Sequence, residues 1–265
     1  MNTGTILDRI VETKQVELLR RKVEEPVSAL VRRGETRPAI VDFRKALQGD
    51  KVSLIAEIKK ASPSRGVFKV DLDPTSLAQT YASNGAAAIS VLTEVDHFRG
   101  SLGDLVEAKK VADQYRLPVL RKDFIFDPYQ VYEAWAYGAD VILLIVAMLE
   151  ADQVRTLLAL AEECGLQAVV EIHSKQELEI AVSSGARIIG VNHRDLRTFE
   201  MHMNLIEQLR PLIPTGISVV AESGIHSSVD VQRMANQGAD AILVGEALVM
   251  ADDTAAKVRE LAGMW

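Results

Sequence analysis

Apolar and polar positions along this 265-residue chain fall into two alternating patterns. Short runs rich in β-branched residues occupy Val52–Ile58, Ala87–Leu92, Pro118–Leu120, Val141–Val146, Ala168–Ile172, Arg187–Val191, Ile217–Ala221 and Ala241–Val244. Between them lie stretches of helical periodicity, namely Pro74–Ser83, Gly103–Tyr115, Pro128–Tyr137, Ala151–Glu163, Ser174–Ser183 and Ser227–Asn236. Strand-like runs that alternate with helices predict a parallel sheet built from βα units. Eight units in about 215 residues predict a closed barrel, so the fold class is α/β, a (β/α)8 TIM barrel with extra N-terminal helices. A doubly wound open sheet is the alternative; its common G-x-G-x-x-G first turn is absent.

Two further patterns refine this. The segments NGAAAISV, YGADVILL, SGARIIGV and QGADAILV place Gly85, Gly138, Gly185 and Gly238 at separations of 53, 47 and 53 residues, two βα units apart. Each glycine stands where a helix ends and a left-handed backbone is favoured. Ahead of the first strand, residues 5–33 read as helix, with Ile6, Leu7, Ile10, Val11, Leu18 and Leu19 near helical spacing and Pro26 dividing it in two. Residues 42–48 suggest a short helix that ends near Gly49. The expectation is one barrel domain over residues 1–265, with 1–48 as a helical extension that either caps one end of the barrel or lies on its surface.

Composition narrows the function. With 30 basic and 37 acidic residues the formal charge is −7, which disfavours nucleic acid as a partner. A small anionic ligand remains possible if its site is locally basic. The longest apolar run, Val141–Leu149, is far short of the ~20 residues that span a bilayer. Met1–Gln15 lacks the apolar core of a signal peptide, and one cysteine, Cys164, excludes an intrachain disulfide. These features predict a soluble cytoplasmic protein. Oligomeric state is not legible in them.

In a (β/α)8 barrel, reactive residues stand at the C-terminal ends of strands. Strand one runs into Glu57 and Lys59, which share a face because strand side chains repeat every second residue. Strand three ends at Lys122, strand five at Glu171, strand six at Asn192 and Arg194, strand seven at Glu222 and Ser223, and strand eight at Gly245. Any one of these could simply mark where solvent begins. Together they would bring three carboxylates and two lysines to one mouth, where proximity separates acids from bases. Ser223-Gly224 and Gly245 fall where barrels often hold a phosphate, and the Ser62-Pro-Ser-Arg-Gly loop could add donors. Taken singly these glycines read more readily as turn punctuation than as phosphate contacts. Glu246, beside Gly245, is expected to turn its carboxylate away. Phe98 and Phe124 follow strands two and three and could line an aromatic pocket or pack loops. The five histidines show no metal-ligand spacing. His193 is expected to face the helix layer while Asn192 faces the mouth, and Cys164 reads as structural.

The segments IAEIKKASPSRG, LTEVDHFRGSL, LRKDFIFDPYQVYEA, LLIVAML, VEIH, IIGVNHRDLRTFE and VVAESGI, in this order and spacing, resemble the indole-3-glycerol phosphate synthase family over nearly the whole chain. The resemblance implies a phosphorylated small-molecule substrate, 1-(2-carboxyphenylamino)-1-deoxyribulose 5-phosphate, closed to a pyrrole ring with loss of CO2 and water, and no metal or organic cofactor. It implies that Lys122 is a general acid for ring closure and Glu171 a base or proton shuttle in dehydration. Lys59 would pair with the substrate's carboxylate or phosphate and could serve as an acid. Glu57, Asn192 and Glu222 would orient these groups. Ser223, Gly224 and Gly245 would meet phosphate and hydroxyl groups with Arg194 nearby, and Phe98, Phe124 and Leu143 would hold the anthranilate ring. The N-terminal helix would close over the mouth. Three residues depart from the family pattern, His193, Arg99 and Trp135. The competing readings are a phosphoribosylanthranilate isomerase-like barrel, which needs a Cys/Asp pair at strand ends, and a barrel that binds without turnover.

Overall fold

The computed structural model of the chain describes residues 5–63, 65–68 and 72–264. Ser64, in the loop after strand one, and residues 1–4 of the extension lie outside the described residues. The apolar runs form eight parallel strands, β1 (Ser53–Ile58), β2 (Ala88–Leu92), β3 (Val119–Lys122), β4 (Val141–Ile145), β5 (Gln167–Ile172), β6 (Ile188–Asn192), β7 (Ser218–Glu222) and β8 (Ala241–Val244). They close into a barrel in sequence order, β8 pairing back onto β1. The open-sheet alternative is thereby excluded. The third run extends beyond Leu120 through Arg121 to Lys122, where charged residues mask the strand.

Alternation along the strands sorts side chains into two cores. Leu54, Ala56 and Ile58 face the helix layer, whereas Ile55 and Glu57 face the barrel axis. The same rule turns Ile142 and Leu144 outward and Val141, Leu143 and Ile145 inward. Parallel pairing sets Asn192 opposite Glu222, and Glu171 opposite Gly190, so the inward polar residues share a level near the mouth.

The helices are α1 (Ile6–Glu24), α2 (Val27–Gly34), α3 (Phe43–Ala46), α4 (Pro74–Ser83), α5 (Leu102–Tyr115), α6 (Pro128–Ala136), α7 (Ala151–Glu163), α8 (Lys175–Ser183), α9 (Leu205–Leu209), α10 (Ser228–Asn236), α11 (Glu246–Val249) and α12 (Thr254–Leu261). Side chains that accept from the first-turn N–H groups start many of them, including Ser101, Ser174 and Ser227. The four repeat glycines have φ of +84° to +100°, the left-handed turn from helix to strand that the repeat predicts. Pro26 separates α1 from α2 as expected. Sequence periodicity passes over α9 and α12, which are short, and over a two-residue hairpin, Ala61–Ser62 with Gly66–Val67, inside the loop after β1.

The extension serves both ends of the barrel. Phe43 and Leu47, at α3, are buried with Ile55, Leu120, Val169 and Val220, and seal the floor. Leu7 and Ile10 of α1 join the same inner cluster as Phe124 and Leu143. Trp135 on α6 lies against Gly34 of α2 so closely that a Cβ there would fall 1.9 Å from the indole ring. This departure from the family pattern therefore docks the extension.

Candidate active site

Every strand-end residue named above lines one cavity at the C-terminal mouth. Glu57, Lys59, Ser62, Phe98, Lys122, Phe124, Leu143, Glu171, Asn192, Arg194, Glu222, Ser223, Gly224 and Gly245 all contribute to its wall. The ionic centre is compact. Lys59 Nζ stands 3.0 Å from Glu57 Oε2, and Lys122 Nζ stands 3.1 Å from Glu171 Oε2 and 3.4 Å from Glu222 Oε2. Asn192 ties three strands together: its Nδ2 donates to Glu171 Oε1 at 3.1 Å, and its Oδ1 accepts from Ser223 Oγ at 2.8 Å and from the Arg194 backbone N–H at 3.0 Å.

The two carboxylates around Lys122 diverge in protonation. Burial pushes both upward. For Glu171, Lys122 with help from His173 and Asn192 outweighs burial and holds it well below the usual carboxylate range. For Glu222, burial wins over Lys122, the charges of Glu171 and Glu57 add to it, and the group is pushed up to about 8. Burial disfavours the Lys122 ammonium, yet Glu171, Glu222 and Glu57 hold it charged well above the ordinary range. Near neutral pH the centre thus presents an ammonium, a protonated carboxyl and an ionised carboxylate, an arrangement able to give and take protons without a metal.

Two glycines make room for this arrangement. A Cβ on Gly190 would fall 2.3 Å from Glu222 Oε1, and one on Gly245 would fall 2.3 Å from Glu57 Oε2. Gly245 therefore gives Glu57 space in addition to starting α11. Ser223 and Gly224 both take left-handed φ, +67° and +75°, turning the chain sharply at the rim. Glu246 does not turn away as expected. It lines the cavity, with Oε1 3.2 Å from Arg65 Nε. The Phe98 and Phe124 rings stand 6.0 Å apart and form an apolar side of the cavity with Leu92, Leu143 and Leu196.

His193 faces away from the cavity as expected, with Nδ1 2.8 Å from the Glu222 carbonyl oxygen. That oxygen only accepts, so Nδ1 carries the proton, and burial holds the ring neutral by lowering its pKa. Arg99 takes a left-handed φ of +55° on the loop that carries Phe98. Cys164 caps α7 in the helix layer, away from the cavity, which removes the thiol that an isomerase-type Cys/Asp pair requires.

Sequence reasoning passed over two supports. Glu94, fully buried, accepts from the backbone N–H groups of Asp96, His97 and Phe98 and shapes that loop. Behind Lys122, six charges alternate in a ring. Lys14 meets Asp123 and Glu17, each at 2.9 Å; Arg21 meets Glu17 at 2.7 Å and Glu133 at 3.0 Å; Arg121 meets Glu133 at 2.7 Å and Asp123 at 2.9 Å. Burial alone would raise Asp123, but Lys14 and Arg121 hold it well below the usual range. The signal was present as Arg121 and Asp123 flanking Lys122, and as Lys14, Glu17 and Arg21 along one face of α1.

Fold and site together define a (β/α)8-barrel protein whose mouth opposes lysines and carboxylates of separated acidity beside an aromatic wall. Residues 7–261 match the family described as indole-3-glycerol phosphate synthase. An indole-3-glycerol phosphate synthase of Dehalococcoides mccartyi is 51% identical over 257 residues, covering 97% of this chain and 99% of that protein. One of Roseiflexus is 50% identical over 265 residues, covering 98% of each. The chain belongs to the indole-3-glycerol phosphate synthase family. Among solved structures, the thiamine phosphate pyrophosphorylase of Pyrococcus furiosus superposes with a TM-score of 0.63 over 84% of this chain and 97% of its own, at 17% identity, which is a likeness of fold alone.

Proposed function

We propose that this chain is a carboxy-lyase that converts 1-(2-carboxyphenylamino)-1-deoxyribulose 5-phosphate into indole-3-glycerol phosphate, a step of tryptophan biosynthesis. Full-length identity near 50% to proteins of that name supports the activity. The observation that carries the residue roles is the meeting of Lys122, Glu171 and Glu222 within 3.4 Å in one cavity.

The roles follow from the chemistry. The anthranilate ring lies against Phe98, Phe124 and Leu143, and the phosphate sits at the Ser223–Gly224 turn near Gly245 and Arg194, with Ser62 adding a hydroxyl. The ring carbon that bears the carboxylate attacks the ketone carbon, and Lys122 delivers a proton to the ketone oxygen. Loss of CO2 returns the electron pair to the ring. The hydroxyl then leaves as water with a proton from an acid of the cluster, while Glu171 takes the proton from the adjacent carbon. Starting from the carboxylate, the sequence consumes one proton per turnover. Glu222, kept protonated beside Lys122, is placed to replenish the lysine. Lys59, oriented by Glu57, neutralises substrate charge, and Asn192 holds Glu171 and Ser223 in register. Holding both reacting ends of one flexible molecule together contributes a large share of the acceleration.

One barrel domain with residues 1–48 as its extension accommodates this site, and the lone cysteine suits a reducing cytoplasm. Indole fluorescence on mixing the purified chain with the substrate tests the reading. Product formation is expected; a chain that binds the substrate and never converts it would instead be a ligand-binding barrel.

A further inference from the structure

One buried chargeable group beside the site has no part in this scheme. His173 follows Glu171 by two residues, in the bend just past the end of β5. It does not line the cavity, and its side chain is only 5% exposed. Its Nε2 stands 3.3 Å from Glu171 Oε1 and its Nδ1 3.3 Å from Glu177 Oε2. Glu177 is itself fixed. Its Oε2 accepts from the His173 backbone N–H at 2.7 Å, and its own N–H donates to Ser174 Oγ at the start of α8. Carboxylates offer only lone pairs, so a ring whose two nitrogens each face one is matched in charge only when each nitrogen carries a proton.

We propose that His173 is a positioning residue for this reaction, an imidazole clamp braced on Glu177 that fixes the Glu171 carboxylate from the side opposite Lys122. The inference rests on the assignment of Glu171 as the proton acceptor. Lys122 on β3 and Asn192 on β6 hold Glu171 within the cavity, and His173 supplies a further contact from beyond the cavity wall. The ring's charge follows from the same contacts. Burial opposes the imidazolium, but the Glu171 and Glu177 carboxylates beside the ring outweigh it and carry His173 up to about 10. The charged groups that face it are Glu171 on β5, Glu177 on α8 and Asp195 on the loop after β6. Lys122 stands beyond Glu171, and Arg197 beyond Glu177. His173 therefore remains a cation at neutral pH, and Glu171 remains ionised and fixed in orientation.

The test combines 15N NMR of the histidine rings in the native enzyme with kcat and KM for His173→Gln and Glu171→Gln, and a urea midpoint to verify folding. The His173 ring is expected to be doubly protonated at pH 7.5. His173→Gln is expected to lower kcat roughly tenfold or more with KM nearly unchanged, as misorientation of a reacting group does. Its acid limb should move to higher pH, because Glu171 has lost a neighbouring cation. A neutral His173 ring, or a native kcat in His173→Gln beside an inactive Glu171→Gln, overturns the clamp alone. A native kcat in Glu171→Gln overturns the assignment of Glu171 and the clamp with it. If His173→Gln does not fold, the ring's protonation decides.

Discussion

Glu222 shows how one buried side chain sets opposing demands on stability and chemistry. Its carboxyl is pushed up to about 8, whereas an unfolded glutamate titrates near 4.3. Between those values the folded chain keeps a proton that the unfolded chain has released, so stability falls as pH rises through that window. Below it both states are protonated and the penalty vanishes. Glu222→Gln removes the titration, and its stability relative to the native chain is expected to rise by roughly 2–4 kcal/mol between pH 5 and pH 9. Urea unfolding at both values checks this, and an unchanged difference would show that Glu222 is ionised in the fold. Gly190 is the matching spatial requirement. Gly190→Ala places a methyl 2.3 Å from Glu222 Oε1, so the carboxyl must shift and its Oε2 contact with Lys122 is disturbed. A loss of roughly tenfold or more in kcat with the fold retained is expected; native turnover would separate Glu222 from the reaction. The strand-end carboxylates and lysines were legible in the sequence because alternation and strand position fix where they point. Their protonation was not, since it depends on burial and on neighbours from four strands.

At the scale of elements, the ring of six charges joins α1 to β3 and α6. Arg121 and Asp123, on either side of Lys122, carry this ring while Lys122 points inward. Docking of α1 and presentation of Lys122 therefore share a strand. Removing one member takes from each neighbour one of its two partners and leaves one buried charge of the ring uncompensated, which costs far more than a surface pair contributes. Asp123→Asn is expected to lose about 3–5 kcal/mol in urea unfolding. Lys14→Met is expected to speed hydrogen exchange in α1 while β4–β6 keep their protection. Equal exchange in α1 of both proteins would mean that its apolar contacts, Leu7, Ile10 and Leu18, suffice to dock it. The helix itself was legible from its spacing. Its partner was not, because Lys14, Glu17 and Arg21 read as a solvated face until Asp123 and Glu133 are brought opposite them.

For the whole molecule, closure turns residues far apart in sequence into neighbours, so that Glu57 and Glu222 stand on opposite sides of β8 and face one cavity. The eight-unit alternation and the glycine repeat carried the barrel, because local hydrophobic period and helix-end geometry are sequence properties. The short hairpin after β1, the pairing of Glu246 with Arg65 and the bracing of Glu171 by His173 arise only once loops are folded against each other. In the proposed reaction the Lys122 ammonium, held between Glu171 and Glu222, drives ring closure. Single-turnover indole formation by Lys122→Met at saturating substrate tests it most directly. The expected result is a loss of about 10²–10⁴ in rate with substrate affinity largely kept, the range for removal of a general acid; a single-turnover rate equal to that of the native chain would contradict it.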